Sequence, residues 1–341
     1  MMKHWSLIVG AVLAGSLLAT GGAMAQTYKK QTIMAASANT PTSNHGIVLN
    51  EFKRIVEEES KGAITVKLYM GGTMGDEVAN VKQLRNQELH IATLFTGNLT
   101  PAAASANVLC LPYLFTNMNE AYAVLSDDAF RKELADDVAK ESGARPLGWM
   151  IGGWRSITNS KKPIKTLEDL QGLKIRVSPT AMQLAAFRAF GIEPHPMAWS
   201  EVFNALQQGV IDGQENMYVT NRDHKFWEVQ KYMTEIHYML WTGAILTSEA
   251  WFRKLDPDTR ALVEKAAVAA QKREWSSAEK EESDSEKLTV QNGMEVTKLD
   301  PKEEARWQEK ARGVWKDFIK TPEMKSLSDK ALAIIAGMQK K

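Results

Sequence analysis

The fold class is decided by an alternating stretch in the first third of the chain. It has the sequence Ala63-Ile64-Thr65-Val66-Lys67-Leu68-Tyr69-Met70. Every second residue from Ile64 to Met70 is apolar, which is typical of a strand with one buried face. The preceding segment has its apolar side chains at helical spacing, and Gly62 is a suitable helix stop. The pattern therefore predicts a helix followed by a strand.

The same alternation continues along the chain. A glycine-rich loop at 71–75 precedes Asp76, which can cap a second helix, and residues 89–95 form the next predicted strand. Further predicted strands occupy 154–159 and 173–177. Strands that alternate with helices in this way predict an α/β fold.

The second half of the chain carries clear helix boundaries. Thr180 can cap a helix that runs to Phe190, with Gly191 as its stop, and Ser200 can cap the next helix. Residues 236–248 form a long apolar run without charge or proline, long enough to pass between two domains.

A very long helix is predicted from Pro257 to Gln291, since proline suits the first helical position and no internal glycine or proline follows. Its charge run at 279–282 is most simply a solvated face, although a coiled-coil dimerisation helix is the alternative. A last strand is predicted at 294–299, followed by amphipathic helices.

Composition excludes several classes of protein. The 341 residues suffice for two domains, and 42 basic residues against 41 acidic ones leave a net charge of +1. A nucleic-acid binder usually has a basic excess, so no nucleic acid is expected as a partner. Cys110 is the only cysteine and lies in an apolar stretch, which predicts a small buried hydrophobe.

The N-terminus predicts export. Lys3 precedes a short apolar run, and Ala23-Met24-Ala25 matches a cleavage site, so residues 1–25 are a predicted signal peptide cut after Ala25. An uncleaved membrane anchor is the alternative, but the apolar run is too short for a comfortable span. The expected compartment is the periplasm.

Motifs for catalysis are absent from the sequence. It contains no G-x-S-x-G, H-E-x-x-H or phosphate-loop motif, and no histidine pair has zinc-type spacing. We therefore expect no catalytic residue, no metal and no cofactor.

Two arginines stand out instead. Arg155 lies beside an apolar strand, and Arg176 lies at the end of the strand predicted at 173–177, where ligands gather in open α/β sheets. A guanidinium can hold a carboxylate through two parallel hydrogen bonds. An exposed arginine on the solvent face of a strand is the alternative, because most arginines are exposed.

The segments 172–177, 196–202 and 212–216 together carry a family pattern. Their sequences are GLKIRV, PMAWSEV and DGQEN, and further matching blocks lie at 74–84 and 226–232. In this order and extent the blocks resemble the DctP family of TRAP transporter solute-binding proteins.

The resemblance implies a two-domain, periplasmic-binding-protein-like α/β fold with a ligand cleft between the domains and a long helix spanning both. The implied division places 27–152 and 242–282 in domain I, and 153–241 and 283–341 in domain II. It implies closure on a small organic anion by a hinge motion.

The resemblance also implies the residues of the site. Arg176 matches the carboxylate-binding arginine of the family and Arg155 a second, commonly ligand-facing one. The other implied ligand contacts are an amide, two aromatic pocket positions and three positions that tune specificity: Asn216, Trp199, Trp241, Asn44, Glu77 and Phe95.

The implied function is transport, not catalysis. The protein would capture a small organic acid, such as a sugar acid, a hydroxy or keto acid or a dicarboxylate, and deliver it to the TRAP membrane subunits, a small DctQ-like and a large DctM-like one. We expect a monomer. A periplasmic enzyme that processes organic acids on a similar scaffold, and a ligand-presenting partner of a sensor, are the alternatives.

Overall fold

The computed structural model describes residues 28–338, so the predicted signal peptide and its cleavage site lie outside the described residues. Two β-sheets flanked by helices make up this part of the chain. The strands are β1 (Gln31–Ala36), β2 (Ile64–Tyr69), β3 (Ile91–Phe95), β4 (Ala144–Trp154), β5 (Ser156–Asn159), β6 (Ile175–Val177), β7 (His195–Pro196), β8 (Gly213–Asn216), β9 (Tyr232–Glu235), β10 (Leu240–Ser248) and β11 (Glu295–Lys298).

The helices lie in the connections between these strands, except for the last three, which follow β11. They are α1 (Asn44–Glu59), α2 (Glu77–Arg85), α3 (Thr96–Leu99), α4 (Met118–Ser126), α5 (Asp128–Ser142), α6 (Ala181–Ala189), α7 (Val202–Gln207), α8 (Tyr218–Asp223), α9 (Glu249–Lys254), α10 (Pro257–Gln291), α11 (Pro301–Arg312), α12 (Trp315–Phe318) and α13 (Pro322–Met338). None of them, within the described part of the chain, combines the length and apolar character needed to span a bilayer. The α/β class predicted from the alternating pattern is confirmed.

The first sheet has the strand order β2-β1-β3-β10-β4. β1 pairs in parallel with β2 and β3, whereas β10 runs antiparallel to both β3 and β4. The predicted alternation in β2 is observed, because Ile64 and Val66 are buried while Thr65 and Lys67 are exposed. Helix α1 covers this sheet with a fully buried apolar face that includes Phe52. This unit supplies one wall of the cavity described below.

The second sheet has the strand order β11-β9-β5-β8-β6-β7. The chain passes between the sheets three times: from β4 to β5 through Arg155, from β9 to β10 through residues 236–239, and from β10 to β11 through α9 and α10. The first two crossings are neighbours. The two crossing segments are joined by a hydrogen bond in which the backbone N–H of Arg155 donates to the carbonyl of Met239 at 2.9 Å. The carboxyl end of β8 lies next to these crossings, because Asn216 pairs with Ser156, and β6 runs parallel to β8.

Two local predictions were wrong. Residues 154–159 do not form one strand, because Trp154 ends β4 in the first sheet and Ser156 begins β5 in the second. The chain changes sheets at Arg155, whose side chain forms an ion pair with Glu215 in β8. Ser200 does not cap a helix, because a 3-10 turn begins one residue earlier, at Trp199, and places the serine inside it.

Helix α10 has the predicted bounds, with Asp256 as its N-cap accepting from the backbone N–H of Thr259. It packs against α1 and β4 of the first unit and against α8 beside the second sheet, so it touches both units. The charge run at 279–282 is not wholly solvated, since the carboxylate of Glu282 accepts from backbone N–H groups of α8. These contacts partly bury Glu282, which is why the observed helix differs from the predicted solvated face.

The crossings mark where the chain leaves one sheet for the other. The exact division of the chain into domains I and II stays a prediction. Helix α13 contacts α4 and α5 beside the first sheet, although residues 283–341 were assigned to domain II. Cys110 is buried and free, and burial raises the pKa of its thiol to about 12, as expected for a small hydrophobe.

Candidate functional site

A cavity lies between the two sheets, next to the crossings. It contains about 510 Å³ of space not filled by protein atoms, part of which is open solvent. The cavity is lined by all the residues for which the sequence implied ligand contact: Asn44, Glu77, Phe95, Arg155, Arg176, Trp199, Asn216 and Trp241. The fold thus brings the whole predicted set together, and its contact with a ligand stays a prediction.

Arg176 occupies the middle of the short strand β6 and is only 1% exposed. Its Nε and Nη2 both donate to the carbonyl oxygen of Met197, at 3.0 and 2.7 Å. Its Nη1 is buried and has no hydrogen-bond partner. Burial lowers the pKa of Arg176 to about 10; the charge of Arg155 also lowers it, while the charges of Glu215 and Glu77 act to raise it. The cation faces the cavity without a neutralising anion.

Arg155 is almost as buried, at 2% exposure, but it forms an ion pair with Glu215. Its Nε and Nη2 donate to the two carboxylate oxygens of Glu215, at 2.5 and 2.7 Å. Glu215 also accepts from the hydroxyl of Tyr238 and from the side-chain amide of Gln183, each at 2.7 Å. Burial alone would lower the pKa of Arg155, but the charge of Glu215 raises it overall. The guanidinium face lies 4.7 Å from the ring centroid of Phe95.

Glu77, the first residue of α2, places a carboxylate on the opposite wall. It accepts from the backbone N–H of Phe95 at 3.1 Å and from the side-chain amides of Asn98 and Asn39, at 2.6 and 3.0 Å. Burial raises its pKa above the ordinary value overall, although these three donors and the charge of Arg176 act to lower it. The three N–H donors favour an acceptor-only, ionised carboxylate.

Several polar atoms of this wall have no partner. They are Asn44 Oδ1, His45 Nδ1 and Asn98 Oδ1, and all are buried. The amide nitrogens of the two asparagines are already engaged, that of Asn44 with Glu274 at 2.6 Å and that of Asn98 with Glu77. Burial lowers the pKa of His45 to about 3, so its imidazole is neutral at ordinary pH. Unpaired buried acceptors are costly unless a ligand satisfies them.

Aromatic rings close two sides of the cavity. Trp241, in β10, meets His45 edge to face at 5.2 Å and stacks on Phe95 at 6.2 Å between ring centroids. Trp199 meets His224 edge to face at 4.8 Å, and the guanidinium of Arg176 lies 5.7 Å from its centroid. These walls restrict the orientation of whatever occupies the space between them.

Asn216 ends β8, and its amide nitrogen donates to Gln214 Oε1 at 3.2 Å. Its position beside Arg176 follows from the pairing of β8 with β6, in which Arg176 lies opposite Gln214. The side chain therefore lies on the same wall as the unpaired cation.

Sequence reasoning missed further lining residues, which include Asn39, His45, Asn98, Ser178, Asp223 and His224. Two of them were within reach of the sequence pattern. His45 follows Asn44 in the first turn of α1, and Asn98 lies three residues beyond Phe95 in α3. Both follow a residue already assigned to the cavity. In residues 28–338 no group of three or more metal-ligating side chains is found.

The fold and the cavity define a class of protein: a two-lobed receptor that encloses a small anion. The description of the matching family model is "Bacterial extracellular solute-binding protein, family 7", or DctP, and it covers residues 34–321. The chain belongs to this family.

Individual relatives agree with that assignment. The 2,3-diketo-L-gulonate-binding periplasmic protein of Escherichia coli is 30% identical over 70% of this chain and 73% of its own. A sugar-acid-binding protein of Advenella mimigardefordensis, solved in complex with galactonate, is 26% identical with a TM-score of 0.84, covering 90% of this chain and 99% of its own.

A third relative differs in conformation. The TRAP periplasmic solute-binding protein of Rhodobacter sphaeroides, solved without ligand in an open, partially disordered form, is 38% identical but has a TM-score of only 0.74, covering 90% of this chain and 99% of its own. The more distant galactonate complex is the better structural match.

Proposed function

We propose that this protein captures a small organic acid in the periplasm and delivers it to a TRAP permease made of a small DctQ-like and a large DctM-like membrane subunit. The observation that carries the proposal is the buried, unpaired Nη1 of Arg176 in the cavity between the lobes. A carboxylate placed there would accept from Nη1 and neutralise the cation. Export would follow cleavage after Ala25, and the protein would act as a monomer.

The charges of the cavity favour a ligand with a single carboxylate. Arg155 is already neutralised by Glu215, which leaves Arg176 as the cation available to a ligand among the described lining residues. The opposite wall carries the carboxylate of Glu77. A second ligand carboxylate would face Glu77 in a poorly solvated space, where like charges repel strongly.

The unpaired acceptors favour hydroxyl groups on the rest of the ligand. Asn44 Oδ1 and Asn98 Oδ1 each lack a donor, and a ligand hydroxyl can supply one. We therefore infer a hydroxylated monocarboxylate, such as an aldonate or a uronate. The galactonate complex of the related Advenella protein supports this inference.

Binding measurements with matched compounds test the proposal. Thermal shifts of the mature protein would be compared for D-galactonate, D-glucuronate, D-erythronate, succinate and the neutral sugar D-galactose. We expect at least one hydroxylated monocarboxylate to bind, and at 100 times its dissociation constant it should add about 2.7 kcal/mol of stability. Binding of succinate or D-galactose in preference to every hydroxy acid would contradict the inferred ligand class.

A separate experiment tests whether the protein binds its ligand without converting it. The bound acid should be recovered chemically unchanged after prolonged incubation with the protein, as measured by mass spectrometry of the ligand. Conversion of the acid would favour the enzyme alternative instead.

A further inference from the structure

Helix α8 supplies part of the cavity wall, yet its own N-terminus lacks a local cap. Met217, Val219, Thr220 and Asp223 line the cavity from this segment. The N-cap residue is Met217, whose side chain makes no capping hydrogen bond. The first backbone N–H groups of a helix have no partner within the helix, so they must be satisfied from outside.

Glu282 of the long helix α10 satisfies two of them. Its Oε1 accepts from the backbone N–H of Tyr218 and its Oε2 from that of Val219, both at 3.1 Å. A negative charge at this end of a helix is also favoured by the aligned peptide dipoles. The cap that α8 lacks in its own sequence is therefore provided by a residue 63 positions away from Val219.

The approach of Glu282 depends on a glycine at the crossing between the sheets. A Cβ atom on Gly153 would lie 1.9 Å from the carboxyl carbon of Glu282. Gly153 is the last residue but one of β4, two residues before Arg155. The backbone of the crossing, the long helix and the first turn of α8 thus meet at one carboxylate.

Glu282 is half-buried where these segments meet. Burial raises the pKa of this carboxyl to about 7, although the N–H groups of Val219 and Tyr218 act to lower it. Glu286 on the same helix adds to the rise, and Arg222 of α8 opposes it. Arg222 is itself paired with Glu281 and Asp223, so it does not form an ion pair with Glu282.

We propose that Glu282 is a positioning residue for ligand binding: its carboxylate fixes the first turn of α8 to the long helix and so sets the wall of the cavity that α8 provides. Without this contact the segment 217–220 would be free to move, and the ligand would be held less firmly. The proposal deepens the proposed function and rests on it for its effect on affinity.

The variant Glu282→Gln tests the contact with little change in size. A glutamine can accept only one of the two N–H groups, because its amide nitrogen is a donor. Glu282→Ala accepts neither, and Glu282→Asp keeps the charge with a shorter reach. Glu279→Gln serves as the matched control, since Glu279 is exposed on the same helix.

The first measurement is hydrogen exchange of the ligand-free proteins. The amides of Tyr218 and Val219 should exchange about two- to thirtyfold faster in Glu282→Gln, the range given by the loss of helix caps, and faster still in Glu282→Ala. The control should exchange like the parent. Unchanged exchange at both amides in Glu282→Ala would overturn the proposal, whatever the ligand is.

The second measurement is calorimetric titration with D-galactonate. Glu282→Gln should bind it more weakly by about the same factor, Glu282→Asp should lie between it and the parent, and Glu279→Gln should match the parent. Gly153→Ala, which displaces the carboxylate without removing it, should weaken binding as well. Faster exchange together with parental affinity in Glu282→Ala would contradict the role in binding.

The two measurements separate this proposal from the proposed function. If the parent does not bind D-galactonate, the titration is made with the hydroxy acid that gives the largest thermal shift. If no hydroxy acid binds, the ligand class is wrong, and the exchange at Tyr218 and Val219 alone then decides whether Glu282 holds α8.

Discussion

The two arginine sites of the cavity, around Arg155 and around Arg176, differ in whether the charge of the guanidinium is paired with a carboxylate. Both guanidinium groups are almost completely buried, at 2% and 1% exposure. Arg155 is held by both oxygens of Glu215, which in turn binds Tyr238. Arg176 has one backbone carbonyl as its partner and one nitrogen with none.

The difference separates a charge that completes the fold from one that awaits a ligand. A buried cation that is paired and hydrogen-bonded belongs to the architecture, whereas an unpaired one is costly and is retained where a bound anion satisfies it. On this reasoning Arg155 acts mainly by holding the crossing between the sheets. Arg176 is the residue from which the free energy of carboxylate binding is expected.

The largest expected effect is on stability at the Arg155 site. Arg155→Ala would leave Glu215, which is 0% exposed, as an unpaired buried charge. The free energy of unfolding should fall by about 3–5 kcal/mol, the usual cost of breaking a buried pair. Urea denaturation of the ligand-free protein measures it.

Arg176→Met is the matched control for that experiment. It removes a buried cation that has no anionic partner in contact, so the ligand-free protein should keep or increase its stability. Equal destabilisation by the two substitutions would remove the contrast between the sites.

A third buried ionisable group, His45, extends the comparison to pH. Its pKa in the folded protein is about 3, against 6.5 in the unfolded chain, because the folded cavity disfavours the charged imidazole. As the pH falls below 6.5, His45 binds a proton in the unfolded chain but not in the folded protein. Its contribution to stability is therefore complete above pH 6.5 and is lost at up to about 1.4 kcal/mol per pH unit towards pH 3.

Replacement of His45 by Gln should remove this part of the acid sensitivity. Denaturation curves at pH 7 and pH 5 would be compared for the parent, His45→Gln and His195→Gln, which changes an exposed histidine. If His45→Gln lost as much stability between pH 7 and pH 5 as the parent, the imidazole would not be kept neutral by burial.

A smaller effect is expected at the wall that faces Arg176. Glu77→Gln removes the negative charge that should repel a second ligand carboxylate, so succinate should bind more tightly, by about 5- to 30-fold or roughly 1–2 kcal/mol. D-galactonate should not gain from the substitution, because it has no second carboxylate. Equal changes for the two acids, measured by calorimetry, would show that Glu77 does not select ligands by charge.

The sequence predicted those parts of the fold that depend on local patterns. The helix α10, the caps at Asp76 and Thr180, and the one-sided burial of β2 follow from spacing and capping chemistry over a few residues. The α/β class followed from the same patterns, and the cavity residues from the resemblance to the DctP family.

Features that depend on distant contacts could not be predicted in this way. The division of 154–159 at Arg155 requires the position of Glu215, which lies 60 residues away. The cap of α8 comes from Glu282, whose charge run resembles an ordinary solvated face. The different states of the two arginines likewise become visible only when their partners in space are known.

The most direct test of this account is a calorimetric titration of the parent, Arg176→Lys and Arg176→Ala with the tightest-binding acid from the thermal-shift comparison. Loss of one partner of a buried charge pair typically costs about 2–5 kcal/mol, so Arg176→Ala should bind roughly 30- to 5000-fold more weakly. Arg176→Lys should lie between it and the parent, because lysine keeps the charge without the planar fork. A folded Arg176→Ala protein that binds the acid as tightly as the parent would contradict the assignment of Arg176 as the carboxylate-binding residue.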